Sequence, residues 1–443
     1  MTLTDPPAFP EVQSAVSEPA QLEVMRIEAS SPLPSWPLAL MITAYPLWFL
    51  LGVSGFMWVA TAVIMLVFLV QRRNVVAPKG MFFYGIFLVG VLGSAFSIDT
   101  VPRMAGYSLR LGYYVSAGIM LLYCLNGGRG VDVWRIAKAF TYWWLATIGG
   151  GYLAFILGDF SYLSPMGYLL PESLKANDLV QTMVTPGFAD IQSIVGFPVP
   201  RPKAPFSYTN SWGAMLALLT PFGLMAASDA RVGVPPKIAR IGLLLSVVPG
   251  VVSLNRGLWL SLGLGLLYAG FRFGMSGKTR LLGQMLIGAL VLSIILVFSP
   301  LSNLVSARVN NESPSDATRS SLILGAVEGA AERPVFGWGA PRPNPNPKHP
   351  PIGTHGQLWS LSFSHGLVGL VGYMGAMFSF LYWTRKQMSK VGTWAHTVVL
   401  IGIIQTPFYL QVPHQLFTIL AAVVIAIRLQ QDPSGTNEEL VAN

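Results

Sequence analysis

THGQLWSLSFSHGLVGLVG, residues 354–372, decides how this chain folds. After Gln357 its residues are, apart from His365, apolar, small or hydroxyl-bearing, and the run continues to Thr384, long enough to cross a hydrocarbon core. In front of it lies a polar, basic loop, Ser302 to Thr354, held between two apolar runs. Ser315 or Asp316 can cap a helix within this loop, running through Arg319, Leu322, Ile323, Ala326, Val327 and Ala330, which are apolar at helical spacing. Arg333-Pro334 should end it, because proline disfavours helical geometry in the residue before it. FGWG follows, then PRPNPNPKHPP, an extended arm with proline at nearly every second position. His355 stands just before the next apolar run. An amphipathic helix opening on an arginine, a stiff arm and a histidine at a membrane-helix mouth together suggest a site.

Outside this stretch the composition excludes an ordinary soluble domain, since hydrophobic residues are 53% and charged residues 11% of 443. Apolar runs lie at about 37–52, 54–70, 80–97, 105–125, 137–158, 206–227, 239–254, 257–274, 281–300, 357–384, 392–410 and 412–428. The expected fold is an all-α polytopic membrane protein of about 12 transmembrane helices, with a large extracytoplasmic loop containing a short amphipathic helix. The bundle should fill 35–428, with long outer loops at 159–205 and 302–354 and cytoplasmic tails at 1–34 and 429–443. The first tail carries five acidic residues and one base, Arg26, and reads as disordered rather than as a signal peptide. The single cysteine, Cys124, rules out an intramolecular disulfide.

Five short loops each carry three basic residues: Arg72, Arg73 and Lys79; Arg129, Arg135 and Lys138; Arg231, Lys237 and Arg240; Arg272, Lys278 and Arg280; Arg385, Lys386 and Lys390. Placing both termini in the cytoplasm puts all five inside, as the positive-inside rule requires. The formal charge of +9 is therefore a membrane-topology signal and not one for nucleic acid. Trp and Tyr residues near the span ends read as interfacial belts.

No Asp or Glu falls inside an apolar run, and the central ionisable residues expected there are Arg110 and His365. Ion-coupled transporters usually need such carboxylates, and no Walker motif, carboxylate pair or metal-ligand cluster takes their place, so no metal or cofactor is expected. The chemistry available on the outer face is arginine, histidine and hydroxyls. Arg201 and Lys203 precede the span beginning near Asn210, Arg256 sits in a tight turn between two spans, Arg319 and Arg333 bracket the loop helix, and His355 stands above the next span. Arginine offers a planar fork of donors suited to phosphate oxygens.

These residues carry a resemblance to the O-antigen ligase and polymerase superfamily of bacterial envelope glycosyltransferases, over about residues 200 to 375. It rests on the span starting with Asn210 and broken at Pro221, and on Asn255-Arg256-Gly257 where the family usually has Ser-Arg-Gly. It continues with Arg319, the run Arg333-Pro334-Val335-Phe336-Gly337-Trp338-Gly339, His355, and Gly366-Leu367-Val368-Gly369. The family usually has His-Asn at His355-Gly356, and often an acidic residue where Ser364 stands. The resemblance implies a GT-C-like bundle in the bacterial cytoplasmic (inner) membrane. It implies transfer of a glycan from an undecaprenyl-type (polyprenyl) pyrophosphate lipid to an acceptor hydroxyl at the outer leaflet, without metal. The acceptor is a glycan, a lipid or a protein, and membrane lipids surround the site.

On that reading Arg256 and Arg319 clamp the leaving pyrophosphate, and His355 either accepts the acceptor's proton or hydrogen-bonds the pyrophosphate. Arg201, Lys203, Asn210, Arg333 and Arg110 are the candidates for binding substrate. Each has a plainer alternative. Arg256 can be an interfacial anchor, Arg319 a solvated helix start, Asn210 a helix cap, and Arg201, Lys203 and Arg333 lipid-headgroup contacts. His355 can serve only to bind backbone, and His365 reads as a packing residue. A protein O-oligosaccharyltransferase of the same fold, or a flippase or exporter of lipid-linked glycan without transfer chemistry, stays open beside the leading reading.

Overall fold

The computed structural model describes residues 32–175, 178–193, 196–298, 301–310 and 314–431. Most of residues 1–34 and 429–443, the expected tails, lie outside them. The longer helices are α1 (Ser54–Val70), α2 (Met81–Gly93), α3 (Val101–Leu125), α4 (Val133–Leu157), α5 (Thr209–Ser228), α6 (Pro236–Val252) and α7 (Arg256–Met275). They continue with α8 (Thr279–Phe298), α9 (Leu301–Asn310), α10 (Pro314–Glu332), α11 (Gln357–Thr384), α12 (Lys390–Gln405) and α13 (His414–Gln431). Their starts follow local chemistry. The side chains of Asp132, Asn255 and Ser389 accept from the backbone N–H of Arg135, Leu258 and Gly392 and so cap α4, α7 and α12.

Helix occupies every expected apolar segment, but not always as one unbroken rod. The first is in pieces, Trp36–Leu38, a π turn Ala39–Thr43 and Tyr45–Leu51. Among the described residues six helices, α3, α4, α5, α7, α11 and α13, are long and apolar enough to cross a membrane. Ser54–Val70 and Met81–Ser97 are shorter apolar helices. The protein is mostly helical, as a polytopic membrane protein should be. The segment 302–354 departs from expectation, since α9 precedes the anticipated loop helix, which itself runs Pro314–Glu332 and stops just before Arg333-Pro334.

α5 and α13 sit at the centre, with 78% and 72% of their most apolar windows buried. Polar side chains tie the surrounding helices to them: Trp212 Nε1 donates to the Thr147 carbonyl at 3.0 Å, and Gln405 Nε2 to the Ala214 carbonyl at 3.1 Å. The belt expectation fails for much of the tryptophan. Trp58, Trp143, Trp144, Trp212 and Trp394 are fully buried, because their area packs helix against helix. Two further histidines lie in the apolar helices. His396 is buried between the Thr384 and Tyr268 hydroxyls, and His414 meets the Tyr45 hydroxyl.

α11 crosses α2 at near-contact distance. A Cβ added to Gly372 would lie 2.3 Å from the Phe87 nitrogen, and one on Gly90 would lie 2.4 Å from the Gly369 nitrogen. Small residues let the two backbones meet. α11 also breaks, at Gly366 (φ 60°, ψ −163°). The segment after α10 fills that break. Trp338 N donates to Phe363 O (2.9 Å), Gly339 N to Ser364 O (2.7 Å), Leu367 N to Pro334 O (2.7 Å) and Val368 N to Val335 O (3.2 Å). Irregular backbone inside a membrane protein needs partners of this kind.

The bundle has two chemically different ends. At one, basic side chains grip neighbouring loops: Arg72 donates to Asn126 O, Arg428 to Gly128 O, Arg272 to Arg385 O and Lys278 to Met388 O. At the other, the expected long loop 159–205 carries a small hairpin, β1 (Ala189–Gln192) antiparallel to β2 (Val199–Pro202), with Asp190 opposite Arg201. α9, α10 and the arm also lie at this end.

Candidate functional site

The turn between α6 and α7 is the floor of the site. Ser253, Leu254 and Asn255 are buried, and Leu254 adopts a left-handed backbone (φ 53°). Two arginines from distant segments hold its carbonyls. Arg201 Nε, from β2, donates to Ser253 O at 2.7 Å, and Arg308 Nε, from α9, donates to Leu254 O at 3.2 Å. Asn255 caps α7, and its side-chain oxygen also accepts from the Tyr409 hydroxyl. Arg256 is therefore the first residue of a helix whose start is fixed on three sides, and its side chain is half-buried.

Like charges meet above this turn. Burial, then Arg308 and Arg319, push the Arg201 guanidinium down to about 10. Burial, and then Arg319, also lower the pKa of His355. Arg319 thus reaches both Arg201 and His355, and among the described residues it makes no hydrogen bond or ion pair. Asp190 offsets Arg201, and its carboxylate is also engaged by Lys203 at 2.9 Å. Such a cluster is suited to an anion.

His355 is held from both sides. Gly356 follows at φ 72°, ψ 134°, a backbone that side-chain-bearing residues avoid, and an added Cβ would lie 2.4 Å from Pro407 O. Glycine is there for that reason. Gln357 N then donates to Tyr409 O (2.8 Å) and Leu358 N to Thr406 O (3.0 Å), pinning the start of α11 to the α12–α13 connection. On the other side, the Thr354 hydroxyl donates to Pro351 O at 2.6 Å and lies 3.0 Å from His355 Nδ1.

Not every residue singled out in the sequence comes here. Arg201, read as a headgroup contact in the plainer alternative, is buried and structural to the turn. Lys203 is paired with Asp190. Asn210 is no cap, because α5 starts at Thr209 after Tyr208, but the α5 start touches the turn through Asn255 Nδ2 and Thr209 O at 3.5 Å. Arg333 is exposed and points elsewhere, donating to Ser97 Oγ at 2.9 Å and lying 4.2 Å over the Trp338 ring. Arg342 covers the same ring at 4.1 Å and pairs with Asp99, which also binds Arg103. Arg110 sits deeper in α3, within electrostatic reach of Tyr113, Tyr114 and His365. His365 packs against Tyr107 and Tyr114 and bonds Ser94 Oγ at 2.8 Å, the packing role expected of it.

The sequence reading missed Arg308 and Tyr409, and took Asn255 only as part of the Asn255-Arg256-Gly257 turn. A signal for Arg308 was present: Leu304, Ala307 and Arg308 share one helical face, and Leu304 and Ala307 pack on Val199 and Leu254. Among the described residues no group of three or more His, Cys, Asp or Glu could hold a metal ion.

Residues 241–374 match the family model for O-antigen ligase. The match supports the resemblance to the O-antigen ligase/polymerase superfamily. The matched segment runs from within α6 through the break in α11 and includes Arg256, Arg308, Arg319, Arg333 and His355. Arg110, Arg201, Lys203 and Asn210 lie before it. No curated protein matches the chain.

Proposed function

We propose that this chain is a metal-independent glycosyltransferase, a glycan ligase or polymerase, that uses an undecaprenyl-type pyrophosphate lipid as donor. It works at the outer face of the bacterial inner membrane, in a bundle of twelve spans with both termini cytoplasmic. The observation carrying this reading is the convergence of Arg201, Arg308 and Arg319 on the Arg256 turn beside His355.

The acceptor hydroxyl oxygen forms the new bond to the anomeric carbon of the donor sugar. The bond from that carbon to the pyrophosphate oxygen breaks, and its electron pair leaves with the lipid pyrophosphate. Arg256 and Arg319 meet the charge that grows on the pyrophosphate, in place of a divalent cation. Arg201 and Arg308 hold the turn and add positive potential to it. His355 takes the proton of the acceptor hydroxyl, and its lowered pKa keeps it in the neutral form that this step needs. Arg110, deeper between the helices, and Asn210, at the start of α5, are further candidates for binding substrate.

The test is reconstitution in vesicles with a defined lipid-linked oligosaccharide and EDTA present, followed by analysis of where the sugar goes. Sugar joined to a glycan or lipid hydroxyl supports the proposal, and sugar joined to protein indicates an oligosaccharyltransferase of the same fold. Oligosaccharide crossing the membrane still on its lipid, with no transfer, would overturn it in favour of an exporter. Strict dependence on added magnesium or manganese would overturn the metal-independent step.

A further inference from the structure

Histidine can act as a base only through a ring nitrogen that carries no proton, and neutral imidazole has one such nitrogen of two. Which one it is depends on what the other nitrogen bonds. At His355 the neighbour is the hydroxyl of Thr354, 3.0 Å from Nδ1. A threonine hydroxyl has a single proton, and here it is directed to Pro351 O at 2.6 Å, a carbonyl that cannot donate in return. The 3.0 Å contact must then run from Nδ1–H to the hydroxyl oxygen. Pro350 and Pro351 restrict the backbone that presents this carbonyl, so the Pro-rich arm supplies a stiff end to the relay. Gly356 and the pinned start of α11 fix the ring's backbone from the other side. Among the described residues Nε2 has no partner.

We propose that Thr354 is a positioning residue that holds the proton of His355 on Nδ1 and leaves Nε2 bare toward the acceptor. This rests on the reading of His355 as the base. The arm is then part of the active apparatus: its Pro351 carbonyl orients the Thr354 hydroxyl, the hydroxyl sets the tautomer, and the tautomer decides which nitrogen can take a proton.

The experiment is solid-state NMR of 15N-histidine-labelled protein in lipid vesicles above neutral pH, with the His355 signals assigned by their loss in His355→Gln. Wild type should show a protonated Nδ1 and an unprotonated Nε2. Thr354→Val, close in shape but without the hydroxyl, should move the proton wholly or partly to Nε2 and lower turnover about tenfold, roughly the value of one hydrogen bond. Thr354→Ser keeps the hydroxyl and should restore both signals and rate. A wild-type proton on Nε2, or unchanged signals in Thr354→Val, would overturn the proposal whatever the activity. A moved proton with wild-type turnover would instead overturn the base role of His355, and Thr354's part in the reaction with it.

Discussion

Arg201 feels Arg308 and Arg319, and His355 feels Arg319, so positive charge gathers at this end of the bundle and favours an anion there. An undecaprenyl pyrophosphate lipid should therefore raise the thermal midpoint of the detergent-solubilised protein, while the monophosphate lipid should do so less. Ligand at about 100 times its dissociation constant contributes about 2.7 kcal/mol. Equal shifts from the two lipids would show that the site does not count phosphate charge. The histidine makes a second expectation. Burial and then Arg319 lower its pKa, so the base stays neutral, and active, to a lower pH than an ordinary histidine would. Arg319→Gln removes the positive neighbour and lets that pKa rise. The acidic limb of kcat/KM should then move to higher pH, and turnover should fall about 10²-fold through loss of a charge-stabilising donor. Product formation measured across pH 5 to 8 decides it, and an unmoved limb would separate Arg319 from His355. His355 could be picked from the sequence because it stands just before an apolar run, and Arg319 because it lies on the loop helix, although that helix starts five residues before it, at Pro314, and not at the arginine. Tyr409 could not be placed in the same way, and the helical face that carries Arg308 does not say what it will meet. Their roles arise from contacts with Leu254 and Asn255, more than fifty residues away in the chain, and no local pattern encodes such a meeting.

At the scale of elements, the contact between α2 and α11 sets the height of the site, because α11 begins two residues after His355. Gly372→Val should force the helices apart at Phe87 and cost about 1–3 kcal/mol, as overpacking does. Thermal unfolding in detergent measures it, and a wild-type midpoint would mean that the crossing is loose. Helices were easy to read here because an apolar run in a chain of this composition has little else to become. The hairpin β1–β2 was not legible. Its strands are four residues each, and the second, Val199–Pro202, includes two prolines, which erase the alternating pattern that marks a strand. The same limit hid the break at Gly366, since GLVGLVG reads equally well as a continuous helix face of small residues.

For the whole molecule, the separation of basic loops from the arginine–histidine end is the feature on which the proposed orientation rests. In a Cys124→Ser background, a cysteine replacing Pro345 should react with an impermeant maleimide from outside intact cells, and one replacing Arg385 should not. The reverse pattern would invert the bundle and remove the outer-face reading of the site. The tryptophans show where composition misled. A belt at the interface and a buried core both call for large rings near helix ends, and only the packing of neighbours, as at Trp143 against Trp58, Tyr45 and Phe206, separates them.

The seam between Pro334–Gly339 and Phe363–Val368 also bears on how such a chain can be recombined. Its four hydrogen bonds use backbone atoms from both sides, so the loop is not a cassette that plugs into a finished scaffold. A chimera that takes the loop from one parent and α11 from another would draw the two halves of one interlock from different sources. Junctions placed before Leu301 and after Gly372 keep both halves together. Selection on what the loop touches would then drag a membrane helix along with it.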